Sequence, residues 1–366
     1  MKQSVLFILH LPPPIHGAAM MGKYIHDSKI INKTFDCQYI NMASAKTLDD
    51  IGKKSIRKYL QYLNLLKKVI WQVLIFRPQL VYVTPTACGI AFYKDFLVVE
   101  LLKLLGCKVV IHFHNKGVAT RQNIKIDNKM YHCFFKHVKV ILLAEALYTD
   151  VKKYVKRKDV FICPNGISEN GRVAKEKHYN TITKLLFLSN LIESKGIFVL
   201  LDALKILKEQ GSDFSCDFVG DETQEINAYH LRKEIDERGL TSHVTYLGKK
   251  SGKEKEKIYN KADIFILPTF YYNECFPLVL LEAMQHALPC ISTNEGGICD
   301  IIKDGKSGFV VEKNNPLALA NKIRILLEEP SLRKKMGEYG YLLYKKNFTL
   351  HSFECNLKTC LETILS

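Results

Sequence analysis

Short apolar runs alternate with longer stretches of helical periodicity along the chain, and the alternation starts twice. In the first series Val5–Leu9, Leu80–Thr84, Lys108–Phe113, Val138–Leu143 and Val160–Cys163 read as buried strands, separated by helical patterns such as Ile56–Phe76 and Asp95–Leu105. A second series begins at Lys184–Ser189 and runs through Asp217–Val219, Val244–Leu247, Ile264–Leu267 and Cys290–Ser292. Such repetition predicts a mostly parallel sheet covered by helices, and the restart predicts two doubly wound α/β domains rather than one long sheet. The join is expected at Cys163-Pro164-Asn165-Gly166-Ile167, where Pro, Asn and Gly mark a turn, with the polar stretch Ser168–Asn180 behind it. A terminal helix is expected after Thr349, ending at Leu365.

Between Tyr272 and Gly297 the pattern carries chemistry. Pro277 suits the first position of a helix, because its fixed φ fits and its missing N–H is not needed there. Leu280, Leu281, Met284 and Leu288 then recur as one apolar stripe until Pro289. Glu282 is expected inside this helix, and Glu274 in the loop facing the free N–H groups of 278 to 280. A helix start of this kind favours a phosphate. Two carboxylates flanking it suit a ligand with hydroxyls on both sides of a diphosphate. An isolated Glu-x7-Glu fits a solvated helix face as well, so the surroundings have to decide. Upstream, Ala262–Thr269 reads as a short buried strand running into a loop; downstream, Pro289–Thr293 is another, followed by Gly296-Gly297 and Asp304-Gly305-Lys306-Ser307-Gly308-Phe309.

Composition narrows the classes. With 366 residues, 47% of them hydrophobic, the chain has material for two ordinary domains. The apolar run near the N-terminus is short, is broken by Pro12-Pro13-Pro14 and lacks a small-residue cleavage site, so a buried first strand is expected and no membrane span. The 11 cysteines include no Cys-x2-Cys pair, which predicts reduced thiols and a cytoplasmic setting. No Asp-x-Asp occurs, so no divalent metal and no other cofactor is expected. The net charge of +16 is uneven: residues 1 to 170 hold 26 Lys+Arg against 11 Asp+Glu, a surplus of 15, and the rest hold 27 against 26. A basic first half implies an anionic partner: nucleic acid, a phosphorylated acceptor or the inner membrane leaflet. No aromatic-interleaved basic motif or zinc spacing favours nucleic acid. The stretch Lys53–Phe76 is a basic amphipathic helix containing Trp71; its apolar stripe suits packing on a sheet, and its outer face suits an anionic bilayer.

The array from Ala262 to Phe309, with Leu186–Gly196 before it, resembles the retaining nucleotide-sugar glycosyltransferases of family 4. The resemblance implies the GT-B fold, with two Rossmann-like domains facing across a cleft. Residues 1–166 would form the acceptor side, with a last helix in 348–366 packing back on it, and 167–347 the donor side. Glu274 would contact the donor sugar, Glu282 the nucleotide ribose, and the backbone of Pro277, Leu278 and Val279, beside Phe276, the diphosphate. Lys195, in a strand-to-helix loop, would offer a cation to the leaving diphosphate. The family commonly has Gly-Arg where this chain has Ser189-Asn190, so Asn190 leaves that clamp one guanidinium short. Gly17 matches the glycine-rich loop after the first strand, with His16 beside it toward the acceptor, and Gly248 the turn near the base. His112 and His114 alternate to one side of a strand end, and His114 is the match for the family's histidine near the donor sugar. Lys116 and Arg121 follow in a loop toward an acceptor phosphate.

The implied activity is retaining transfer of a hexosyl or N-acetylhexosaminyl group from a nucleotide-sugar, UDP-linked by preference, to a glycan or glycolipid acceptor. The setting implied is surface polysaccharide, O-antigen or capsule assembly at the inner face of the cytoplasmic membrane. An epimerase or phosphorylase of the same architecture, an inactive glycolipid-binding partner and a basic nucleic-acid-binding protein are the alternatives. Intact Glu274, Glu282 and Lys195 argue against an inactive partner.

Overall fold

A computed structural model describes residues 2–13, 17–42, 56–169 and 182–366. The chain divides into two compact units, Met1–Asn165 with Leu350–Ser366, and Gly166–Thr349.

The first unit is a six-stranded parallel sheet of β1 (Ser4–Leu9), β2 (Asp36–Asn41), β3 (Leu80–Val83), β4 (Val109–His112), β5 (Val138–Leu142) and β6 (Val160–Ile162), in the order β2-β1-β3-β4-β5-β6. Its central strands are apolar along their whole length because helices cover both faces: every residue of β3 and β4 is buried. The long helices Ile56–Phe76 and Gly89–Leu104 are the crossovers from β2 to β3 and from β3 to β4. Both crossovers advance in the same direction along the sheet, so right-handed connection puts both helices on one face. The last helix, Leu350–Leu365, buries Phe353, Leu357 and Leu361 and packs against the helix Lys29–Thr34.

The second unit holds β7 (Thr183–Leu188), β8 (Phe214–Val219), β9 (Val244–Tyr246), β10 (Ile264–Leu267), β11 (Cys290–Thr293) and β12 (Gly308–Val311), parallel in the order β12-β11-β10-β7-β8-β9. Counted from β7, that is the doubly wound order whose direction reverses between β7 and β10.

Two strands lie outside the sequence-based expectation, β2 and β12, and both are edges. In β2 only Ile40 is buried, so five of its six positions carry no core signal. The helix Gly89–Leu104 also begins earlier than Asp95, since its cap position is Cys88, which makes no side-chain capping bond.

Candidate functional site

The reversal between β7 and β10 sends the loops after these strands apart, and ligands of doubly wound sheets bind in that crevice. Here the two loops are stitched at their base. Gly196 lies in the left-handed region at φ +87°, and a Cβ there would stand 2.2 Å from the Pro268 carbonyl oxygen. The Phe270 N–H donates to the Ser194 carbonyl at 2.8 Å, and the Thr269 hydroxyl donates to the same oxygen at 3.3 Å. This contact delivers Lys195 to Glu274: Nζ to Oε2 is 2.6 Å, with side chains only 16% and 10% exposed. The ammonium also lies 4.5 Å from the centre of the Tyr271 ring, a cation–π contact. From the other side, Gly296 at φ +57° admits the Glu274 carbonyl where a Cβ would stand 2.2 Å away, and the Gly297 N–H donates to the Cys275 carbonyl at 2.8 Å. Glu274 is therefore fixed by three loops and one cation.

The following helix is Leu278–Gln285. Pro277 is the residue before it rather than its first residue: its ψ of 116° is extended, and its carbonyl accepts the Leu280 N–H at 3.2 Å. The helix stops before Pro289, because Ala287 takes a positive φ of 52° and the His286 imidazole Nδ1 lies 2.7 Å from the Glu282 carbonyl.

Inside this helix both Glu282 oxygens are held. Lys255 Nζ lies 2.7 Å from Oε1 and 2.6 Å from Oε2, and the Tyr259 hydroxyl donates to Oε2 at 2.9 Å. Burial and the adjacent carboxylate push the Tyr259 phenol well above its usual range, so it stays a donor. Lys255 and Tyr259 are four apart on the helix Gly252–Lys261, hence on one face. If Glu282 reads a ligand, these two aim it. Lys255→Met is expected to raise the KM for a nucleotide-bearing substrate about tenfold with little change in kcat, and Tyr259→Phe to do so by a smaller factor. Steady-state kinetics of the two variants check the split; a fall in kcat alone contradicts it.

The remaining sequence candidates are placed as follows. Asn190 is exposed at the end of β7, its carbonyl accepting the Ile192 N–H at 2.8 Å. Gly248 has φ +70° and open space around its Cβ position; its carbonyl accepts the Gly220 N–H at 3.2 Å. The Phe276 ring is buried edge-on against Phe348, 5.8 Å between centres, so its side chain is core and only its backbone borders the helix start. Leu278 and Val279 are half-buried.

In the first unit, Gly17 opens the helix Gly17–Asp27, and a Cβ added to it would meet nothing within 4 Å among the described residues. His16 lies outside the described residues. His112 and His114 do share a side, ring centres 4.4 Å apart. His112 is buried against the Tyr82 hydroxyl, and burial holds its imidazole well below the usual range, hence neutral; His114 is half-buried at the loop edge, with both ring nitrogens turned away from solvent. Lys116 is half-buried in the same loop. The structure ties Arg121 to protein carboxylate: its Nε–H donates to the buried Asp127 at 2.6 Å. The start of its helix is filled too, since Gly117, Val118 and Ala119 donate their N–H groups to Asp150 at 2.9, 3.1 and 2.9 Å.

Sequence reasoning did not find Lys255, Tyr259, Tyr271 or the buried Glu295, whose Oε2 lies 2.6 Å from Lys313 Nζ beside the Gly296 turn. The four-residue spacing of Lys255 and Tyr259 was the one signal for the first two. Tyr271 and Glu295 sit in loops, where spacing carries no facing rule.

Residues 172–343 match the family of glycosyl transferases group 1. An uncharacterised glycosyltransferase of Methanocaldococcus jannaschii is 30% identical over 221 residues, 58% of each chain. The capsular polysaccharide biosynthesis glycosyltransferase CapM of Staphylococcus aureus is 28% identical over 179 residues, 49% of this chain and 46% of its own. The chain thus spans about half the length of such relatives. The fold is GT-B: HepE of Anabaena, crystallised with UDP and glucose, superposes with a TM-score of 0.73 over 99% of this chain and 100% of its own, at 18% identity, a likeness of fold alone.

Proposed function

Because residues 172–343 match the family of glycosyl transferases group 1, we propose that the chain moves a hexosyl or N-acetylhexosaminyl group from a nucleotide-sugar to a glycan acceptor, with retention at the anomeric carbon. The observation that carries this reading is the Lys195–Glu274 pair at the reversal of the second sheet, one turn of chain from a helix start. Departure of a nucleoside diphosphate spreads positive charge over the sugar ring and negative charge over the phosphates. Lys195 and the N–H groups of the Leu278–Gln285 helix start meet the second charge, with no divalent metal in the scheme. Glu274 orients the sugar hydroxyls, and Glu282 takes the ribose. The acceptor hydroxyl attacks from the face the diphosphate leaves, and that diphosphate takes its proton.

A UDP-sugar is the preferred donor, supported by the UDP in the HepE complex. The acceptor is a lipid-diphosphate-linked glycan of surface polysaccharide, capsule or O-antigen assembly at the inner face of the cytoplasmic membrane, supported by the name of CapM and by the surplus of 15 positive charges in residues 1 to 170. A panel of UDP-, GDP- and ADP-sugars, read by thermal unfolding with and without chelator, tests the donor side. A raised melting temperature with UDP-sugars, unaffected by chelator, is expected. No shift with any nucleotide-sugar overturns the reading.

A further inference from the structure

The helices Ile56–Phe76 and Gly89–Leu104 are apolar on the side that meets water as well as on the side that meets the sheet. On the first, Val69 and Val73 are buried, while Leu63, Trp71, Leu74 and Ile75 are exposed, Trp71 to 66%. Their spacing of three, four and eight residues puts these four on the opposite stripe of the helix. On the second, Ile90, Leu97 and Leu104 are exposed at intervals of seven residues, Leu104 to 86%. The Tyr62 hydroxyl donates to the Lys94 carbonyl at 2.7 Å, which ties the two helices side by side. Single exposed leucines need no account, but two adjacent helices lined this way make a contiguous apolar face of the kind that marks an interaction site.

The charge on this face has one sign. Lys67, Lys68 and Lys94 are exposed among the apolar side chains. The helix Ile56–Phe76 contains no acidic residue, and on its neighbour Asp95 is buried and Glu100 is 2.7 Å from Lys103. A second copy of the chain, docked through the same face about a two-fold axis, would set lysines against lysines. An anionic bilayer accepts both components, the apolar side chains in its outer acyl region and the ammonium groups at lipid phosphates, with Trp71 at the boundary between them. Among the described residues no helix is long and apolar enough to cross a membrane, so the contact lies along the surface.

We propose that the outer face of the helices Ile56–Phe76 and Gly89–Leu104 docks on an anionic lipid bilayer. The inference rests on exposure and charge and is independent of the transfer reaction.

Trp71 is the only tryptophan of the chain, so its fluorescence reports this face and nothing else. The full chain is titrated with phosphatidylcholine vesicles containing phosphatidylglycerol, and with phosphatidylcholine alone. A blue shift of emission together with cosedimentation, confined to the anionic vesicles and reversed by high salt, is expected. Lys67→Gln and Lys68→Gln each weaken partitioning about fivefold. Leu74→Glu and Leu97→Glu, one on each helix, weaken it more than tenfold while circular dichroism stays unchanged. An unshifted emission with anionic vesicles overturns the proposal. So does equal binding to neutral vesicles, or a blue shift that grows with protein concentration in the absence of lipid, which assigns the face to a second copy.

Discussion

Glu274→Gln is expected to lower sugar transfer by about 10²–10³ in kcat/KM, and Lys195→Ala by a similar factor, because in the proposed reaction each supplies a preorganised contact to the reacting end of the donor. The carboxamide keeps the shape and one acceptor oxygen of Glu274 but loses the charge that holds Lys195 at 2.6 Å. The double variant is expected to lose far less than the product of the two single losses, since the residues act as one unit. Both single variants also leave one mostly buried charge without its partner, at a cost bounded by about 3–5 kcal/mol. Thermal unfolding therefore accompanies the kinetics, and rates are compared well below the lowest melting temperature. The pair has no catalytic part if folded Glu274→Gln turns over within about threefold of the native chain.

Gly196→Ala has the second largest expected effect and acts without touching a ligand. A left-handed φ of +87° costs alanine about 1–2 kcal/mol by itself. The added methyl would also stand 2.2 Å from the Pro268 carbonyl oxygen, well inside contact distance, so the loops after β7 and β10 must part. Lys195 and Glu274 are carried by those loops, and a displacement of about 1 Å at such a pair costs about 100-fold in rate. Gly211→Ala provides the control. Gly211 has a comparable φ of +77° but open space at its Cβ position, so it bears the backbone cost alone. Equal losses of activity in the two variants would show that backbone strain, not loop contact, is responsible.

The alternation of apolar runs revealed ten of the strands and the restart between the two series, because a parallel strand buried on both faces leaves an unbroken apolar signature. The two strands that escaped, β2 and β12, are both edges, and β2 has a single buried residue. At the site, spacing around a helix start singled out Glu274 and Glu282 only together with the motifs that surround them, and Lys195 through the resemblance those motifs carry. Their partners were less legible. The Lys195–Glu274 contact joins residues 79 apart in the chain and Lys255–Glu282 joins residues 27 apart, distances over which periodicity has nothing to say. The proline illustrates a finer limit: a φ of −68° suits both the first helical residue and the one before it, and ψ, which the ring does not restrict in the same way, decides between them. Arg121 illustrates another, since nothing in the sequence tells that its guanidinium is paired with a buried aspartate.

The first unit is discontinuous in the chain: it takes in Met1–Asn165 and then, after all of Gly166–Thr349, the helix that starts at Leu350. On the ribosome this order becomes a delay. At about 5–20 residues per second, the sheet β2-β1-β3-β4-β5-β6 is fully synthesised roughly 10–40 s before Phe353, Leu357 and Leu361 emerge to cover the helix Lys29–Thr34. The packing of the last helix on Lys29–Thr34 is therefore the final step that the order of synthesis allows in the first unit.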